Sequence, residues 1–244
     1  MPEKSTNECS ARPITAPPET GANDRVRRWL ELSLVLVVSF GPFFLNGLYV
    51  WKTGVSSTLF ALNRRYTTGL AVEVAGLLVL GVVLWRRRLR LRDLGVGWSL
   101  SDIPMGLAVA VVSYVVYTFG YSLVWAFHLR LDPSATSLYT NHEPFFRPSL
   151  AAIPDTLLNP FFEEVIVRAY LMTEVKDLTG SWGWATAISI AVQASYHLYF
   201  GWEWALCMSF QFLVFAVYYA QTRRATPIIL AHGVFDVWAL LRIW

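Results

Sequence analysis

The sequence is organised around residues 159–170, NPFFEEVIVRAY, where two adjacent carboxylates and an arginine interrupt a run otherwise apolar enough to span a membrane. An ionisable side chain in a spanning helix costs about 2.5 to 3.5 kcal/mol, so it normally faces a protein interior or a wet cavity and has a function. At about 100° per residue, Glu164 and Arg168 share a helical face, whereas Glu163 points away from the arginine. The spacing predicts a Glu164–Arg168 ion pair and leaves Glu163 free. The alternative is a structural network in which Arg168 neutralises both acids.

The composition is typical of an integral membrane protein. Hydrophobic residues make up 55% of the 244 residues and charged residues 15%, and the mean hydropathy is +0.43. Soluble domains rarely contain such long apolar runs. The net charge is only +3, and the basic residues form short clusters between apolar runs. We therefore expect membrane lipid as a partner and no nucleic acid.

Seven apolar runs approach the roughly 20 residues that a helix needs to cross a bilayer core. They cover residues 29–50, 67–85, 103–127, 151–177, 181–200, 204–221 and 227–244. The predicted fold class is all-α, a polytopic helical membrane protein with about seven transmembrane helices. Basic clusters lie before the first run and after the second, which predicts a cytoplasmic N-terminus.

The chain divides into three predicted parts. Residues 1–24 are rich in Pro, Ser, Thr and Glu and predict a disordered tail. Residues 25–149 predict a scaffold of about three spans, in which Glu73 and Asn46 are the main polar exceptions. Residues 150–244 predict a functional core of about four spans, because ionisable side chains recur there; the family resemblance described below implies that this core is catalytic.

Three further ionisable residues lie in the predicted core. His197 falls near the end of the fifth run, and His232 and Asp236 are four apart in the seventh and share a helical face. A lone buried histidine is usually a satisfied core residue. Two histidines, an aspartate and a free Glu163, all in membrane spans, favour a functional site.

Two hydrolytic mechanisms fit these residues. In the first, Glu163 acts as general base on a water that His197 helps to hold, while His232 and Asp236 stabilise an oxyanion. In the second, Glu163, His197 and His232 bind a metal such as zinc and leave one position open for water. The first mechanism needs no cofactor.

The order Glu163-Glu164-x-x-x-Arg168, His197 and His232-x-x-x-Asp236 on successive spans resembles the CPBP (CAAX protease and bacteriocin-processing, or Abi) family of intramembrane proteases. The similarity covers roughly residues 150–244, and residues 91–95, LRDLG, also resemble a family linker. The resemblance implies a helical glutamic endopeptidase without metal. In the mechanism that this resemblance implies, Glu163 and His197 would activate water, and His232 and residue 236 would form the oxyanion hole.

The resemblance also implies a substrate class and a location. The expected substrate is a membrane-associated or lipidated protein or peptide, and the expected location is a bacterial plasma membrane. Two positions depart from the family. Gln193 stands where Phe is frequent, which predicts altered packing or an added hydrogen bond. Asp236 stands where some members have Asn.

Asp236 must be neutralised if it faces a developing oxyanion, because an ionised carboxylate would repel that charge. A proton on its carboxyl would make it a donor like Asn. An ion pair with His232 would instead make the imidazolium the donor. We favour the protonated carboxyl.

Two rival functions remain open at this stage. Intramembrane Glu and His residues also occur in proton-coupled carriers, although we find no inverted repeat. The second rival function is that of a non-catalytic membrane scaffold with the same fold.

The predicted depths of the site residues in the membrane do not agree with one another, whichever of these functions holds. Asn159-Pro160 predicts a helix that starts at Pro160. His232 would lie only about 8 Å from the opposite end of its span. Tilt, a break near Gly201 or an error in the predicted topology would have to reconcile the two positions.

Overall fold

The structure is a computed structural model that describes residues 21–53, 65–127 and 150–243, and these residues form helices without any strand. The α-helices are α1 Ala22–Thr53, α2 Arg65–Arg86, α3 Asp102–Ala126, α4 Ala152–Glu163, α5 Met172–Thr179, α6 Trp182–Tyr196, α7 Trp202–Thr222 and α8 Thr226–Ile243. Two 3₁₀ helices cover Leu91–Leu94 and Leu198–Phe200, and a π-helix covers Glu164–Leu171. The all-α prediction is confirmed.

Each of the seven predicted runs is helical in the described residues. Four helices, α1, α2, α3 and α7, are long and apolar enough to cross a membrane, and α8 contains a shorter apolar helix. The fourth predicted run consists of α4, the π-helix and α5 in direct succession, and we call residues 152–179 the central segment. The first helix begins at Ala22, inside the predicted tail of 1–24, and residues 1–20 lie outside the described part of the chain.

The central segment lies in the middle of the bundle. Every residue of its π-helix is buried. The surrounding helices α1, α2, α3 and α7 instead leave many large apolar side chains exposed, such as Val111, Val115 and Phe119 of α3 at 59–64% exposure. In an integral membrane protein this apolar exterior contacts lipid, and the polar side chains are collected inside.

The prediction that a helix starts at Pro160, after a break in the fourth run, is wrong. The helix begins eight residues earlier, at Ala152, and Pro160 lies inside it. Membrane helices tolerate an internal proline because neighbouring groups satisfy the freed backbone carbonyl. The Asn159 side chain does not cap a helix; it donates to two carboxylates described below.

The linker at residues 91–95 packs on the turn between α7 and α8. Leu94 is buried, and Gly95 ends the 3₁₀ helix with a φ of 77°, a conformation that favours glycine. The carbonyl of Gly95 accepts a hydrogen bond of 2.9 Å from the amide of Ala225. The Tyr219 hydroxyl lies 3.0 Å from the Leu94 carbonyl and 3.1 Å from the carbonyl of Ala169 in the central segment.

These contacts resolve the depth of His232. They bring the start of α8 level with Ala169, and residues 170–179 of the central segment continue beyond that level. His232 lies six residues after Thr226, and Glu163 lies six residues before Ala169, both in the direction away from the linker. The two side chains therefore reach a similar depth although their helices run in opposite directions.

Gly76 of α2 allows α1, α2 and the central segment to pack closely. A Cβ at this position would lie 2.9 Å from Cε2 of Phe162 and would also overlap the Ser39 hydroxyl of α1. A Cβ at Gly81, further along α2, would meet no atom within 4 Å.

We expect Gly76→Ala to lower stability by about 1 to 3 kcal/mol, because the added methyl overpacks the contact. Gly81→Ala is the matched control and should keep the stability of the unchanged protein. Thermal unfolding in detergent and protein levels in the membrane measure both. Equal stability of the two variants would contradict the close packing.

Candidate active site

One cavity of about 360 Å³ contains all four predicted catalytic side chains, Glu163, His197, His232 and Asp236. Glu163 comes from the end of α4, His197 follows α6, and the other two come from α8. The four side chains therefore reach the cavity from three segments that are distant in sequence. A role in catalysis stays a prediction for each of the four residues.

Glu163 is 5% exposed and is held by hydrogen bonds. Its Oε2 accepts from the Tyr196 hydroxyl at 2.7 Å and from Nε2 of Gln193 at 2.9 Å. Its Oε1 accepts from Nδ2 of Asn159 at 3.3 Å. The expectation of a free Glu163 is therefore wrong in one respect: no arginine of the described ranges pairs with the carboxylate, but three neutral donors fix its orientation.

Gln193 connects the glutamate to the buried arginine. Its Nε2 donates to Glu163, and its Oε1 accepts from Nη2 of Arg168. The arginine also donates to the Ser189 hydroxyl at 2.7 Å. Because Gln193 is fully buried, these bonds satisfy both ends of its amide. The hydrogen bond expected from this departure from the family pattern is confirmed.

Glu164 contacts both Arg168 and His232. The predicted pair with Arg168 is present, but its Nε–Oε2 distance of 3.5 Å is longer than a normal hydrogen bond. The shorter contact joins Oε1 to Nδ1 of His232 at 2.8 Å. A carboxylate accepts, so Nδ1 is the donor. Glu164 therefore holds the His232 ring as well as pairing with the arginine.

The other nitrogen of His232, Nε2, faces Asp236. The distance from Nε2 to Oδ1 of Asp236 is 3.6 Å, which is beyond hydrogen-bonding range. The two groups are close enough to attract each other when charged, yet neither is saturated by the other. His232 Nε2 is therefore open to a third group in the cavity, and Asp236 can donate to the same group only when its carboxyl carries a proton.

A backbone carbonyl one helical turn earlier orients the ring of His197. Its Nδ1 lies 2.8 Å from the Gln193 carbonyl, and a carbonyl only accepts, so Nδ1 is protonated. In a neutral ring the second nitrogen, Nε2, is then an acceptor. The ring packs beside Phe212, with centroids 5.1 Å apart.

The residues that could hold a metal differ from the predicted set. Ligand atoms of Glu163, Glu164 and His232 lie within 4.8 Å of one another, and His197 is not part of that group. Carboxylate and imidazole ligands suit zinc. The fit is imperfect, because the Nδ1 of His232 that meets Glu164 carries a proton and only Nε2 remains for a metal.

Several residues of the site were not found by sequence reasoning. Asp155, Asn159 and Glu163 lie at spacings of four and so share one face of α4. This spacing could have been recognised in the sequence. Tyr196 gave no signal before the fold was known. Glu73 was assigned to the scaffold, yet it lines the cavity, as Asn46 does. The predicted scaffold therefore contributes to the site.

The comparisons with known proteins give one match. Residues 145–238 match a family model described as "Type II CAAX prenyl endopeptidase Rce1-like". No curated protein and no solved structure matches the chain. The matched residues include Glu163, Glu164, Arg168, His197 and the His232-x-x-x-Asp236 pair.

We expect Arg168→Ala to reduce both the level and the activity of the protein, because it leaves Glu164 buried beside an empty space. Breaking one partner of a buried pair costs about 3 to 5 kcal/mol. Protein level in membranes and thermal unfolding in detergent are the measurements. Arg92→Ala is the control, since Arg92 is exposed. A stable but inactive Arg168→Ala protein would show that the pair takes part in catalysis instead.

Proposed function

We propose that this membrane protein is an intramembrane endopeptidase that uses a glutamate-activated water, because residues 145–238 match the CAAX prenyl endopeptidase family model. Its substrate would be a membrane-associated or lipidated protein or peptide. The observation that carries the proposal is the single cavity into which Glu163, His197, His232 and Asp236 converge. The expectations of a bacterial plasma membrane and a cytoplasmic N-terminus are part of the same proposal.

Glu163 would take a proton from a water molecule as general base. The Tyr196, Gln193 and Asn159 side chains all donate to its carboxylate, which fixes its orientation. The acceptor Nε2 of a neutral His197 would hold the same water. A held water and an oriented base reduce the motion needed to reach the transition state.

His232 and Asp236 would stabilise the oxyanion that forms when the water attacks a peptide carbonyl. Glu164 keeps Nδ1 of His232 occupied, so Nε2 is the nitrogen available to the substrate. Donors aimed at the developing charge in a site that excludes water contribute more than they would in water. The proton taken by Glu163 would then pass to the leaving amine.

A zinc-dependent protease is the second candidate, and the cluster of Glu163, Glu164 and His232 favours it. Zinc would supply a Lewis acid and an activated water. Stoichiometric zinc in the purified protein, with cleavage that a chelator abolishes and zinc restores, would favour this candidate. Full activity after metal removal favours the glutamic mechanism. Ion transport in proteoliposomes would instead indicate a carrier.

We expect Glu163→Gln to abolish cleavage, with a loss of at least about 100-fold, because the amide keeps the shape but is no base. Its membrane level should stay normal. Cleavage of lipid-anchored peptides by the purified protein is the measurement. Glu203→Gln is the control, since Glu203 is 7% exposed and buried like Glu163 but does not line the cavity. Retained cleavage in Glu163→Gln would reject the mechanism.

Asp236→Asn should keep most of the activity and extend it to higher pH. The amide supplies an N–H donor that needs no proton from solution, and Glu164 still holds His232. The pH–rate profile measures this. A variant that is nearly inactive at every pH would show that Asp236 acts as an ionised partner of His232.

A further inference from the structure

A second carboxylate, Glu73 of α2, lines the cavity beside Glu163 and has no role in the proposed mechanism. The residue is 1% exposed. Its Oε1 accepts a hydrogen bond of 3.0 Å from Nδ2 of Asn159, and its Oε2 has no hydrogen-bond partner. A buried carboxylate oxygen without a partner is costly. Because Glu73 is a lining residue of the cavity, a group that enters the cavity is a candidate to complete this carboxylate.

The position of Glu73 links it to the reacting centre. The Asn159 amide that donates to Glu73 also donates to Oε1 of Glu163. One amide group therefore separates the two carboxylates. A group bound at Oε2 of Glu73 would lie within one or two residues of the peptide bond that Glu163 attacks.

Asp155 adds negative charge to the same wall. It lies one helical turn before Asn159 and packs on α2 at Gly69, where a Cβ would lie 2.6 Å from its Oδ1. This oxygen also lacks a hydrogen-bond partner, and Asp155 lines the cavity. Gly69 and Glu73 are four apart on α2, as Asp155 and Asn159 are on α4, so the two helix faces present these acids to one region.

The basic side chains that line the cavity already face other carboxylates, so Glu73 is the acid of this wall for which the structure describes no ion pair. His232 lies between Glu164 and Asp236. Arg65 acts electrostatically on Asp155. Asp155, Glu163 and Asp236 all repel a charge on Glu73. An incoming positive group would relieve this repulsion and would give Oε2 its missing donor.

We propose that Glu73, with Asp155, forms a subsite for an ammonium or guanidinium group of the substrate next to the scissile bond. The group could be a lysine or arginine side chain or a free N-terminal amine. This inference rests on the proposed peptidase function and adds a preference for positive charge to it.

Binding and cleavage are measured separately to test this subsite. The probes are farnesylated peptides with a photo-crosslinking group, in which each position in turn carries lysine, arginine, acetyl-lysine or norleucine. A second series has either a free or an acetylated N-terminus. The receptor is the full chain in liposomes with Glu163→Gln, so that bound peptide is not cleaved.

At one position we expect the positively charged peptide to label the protein about tenfold more than its neutral counterpart, as a charge-assisted hydrogen bond predicts. Adding Glu73→Gln should bring this ratio close to one, and adding Asp155→Asn should lower it. Adding Glu203→Gln should leave it unchanged. Thermal unfolding verifies that each variant is folded. If the Glu73→Gln protein does not fold, the labelling ratio of the Asp155→Asn protein decides whether the subsite exists.

Absence of a charge preference at every position, or a preference that survives Glu73→Gln, would overturn the subsite. The lysine and N-terminal series identify which source of positive charge is used. Cleavage by the protein with Glu163 intact is assayed in parallel. Charge-dependent binding without cleavage would reject the peptidase function alone, and cleavage without charge preference would reject the subsite alone.

Discussion

Charges on a fully buried helix must be matched by partners from its neighbours, and this constraint organises the bundle. The central segment carries Glu163, Glu164 and Arg168, none more than 5% exposed. Side chains of α6 hydrogen-bond to Glu163 and Arg168, and His232 of α8 donates to Oε1 of Glu164. The Oε2 of Glu164 and Nε of Arg168 have only their 3.5 Å contact with each other. The polar contacts that make the buried charges tolerable are thus the ones that bring α6 and α8 to the cavity. Stability and site geometry depend on one network.

Two adjacent glutamates are needed because they serve different helices. Successive residues of an α-helix point about 100° apart, so the two neighbouring carboxylates make different hydrogen bonds although an oxygen of each lies near His232. Glu163 is the last residue of α4 and faces α6, whereas Glu164 begins the π-helix and faces α8. A π-helix inserts extra backbone into the turn and occurs frequently at functional sites. Here it sets the directions of Glu164 and Arg168 within a segment that is buried on all sides.

Local patterns in the sequence predicted the local features of this protein. The apolar runs predicted the seven helical segments, and spacings of four predicted the Glu164–Arg168 and His232–Asp236 pairs. The contacts between Glu73 and Asn159 and between Glu164 and His232 join residues 86 and 68 positions apart, and no spacing rule reaches so far. The helix start at Pro160 was predicted from local capping preferences, which tertiary contacts of Asn159 override. The π-helix depends on a shift in backbone hydrogen bonding that composition does not report.

Backbone hydrogen bonding restricts how a membrane substrate can be presented to the proposed base, Glu163. In an intact spanning helix each interior backbone carbonyl accepts an intrahelical hydrogen bond, so it is not free to meet the donors of an oxyanion site. The cavity is lined by polar side chains such as Asn159 and Gln211, which can bond to the peptide groups of an extended segment. The proposed endopeptidase would therefore need its substrate unwound at the cleavage point, a requirement that a chain end or a short extended segment already meets.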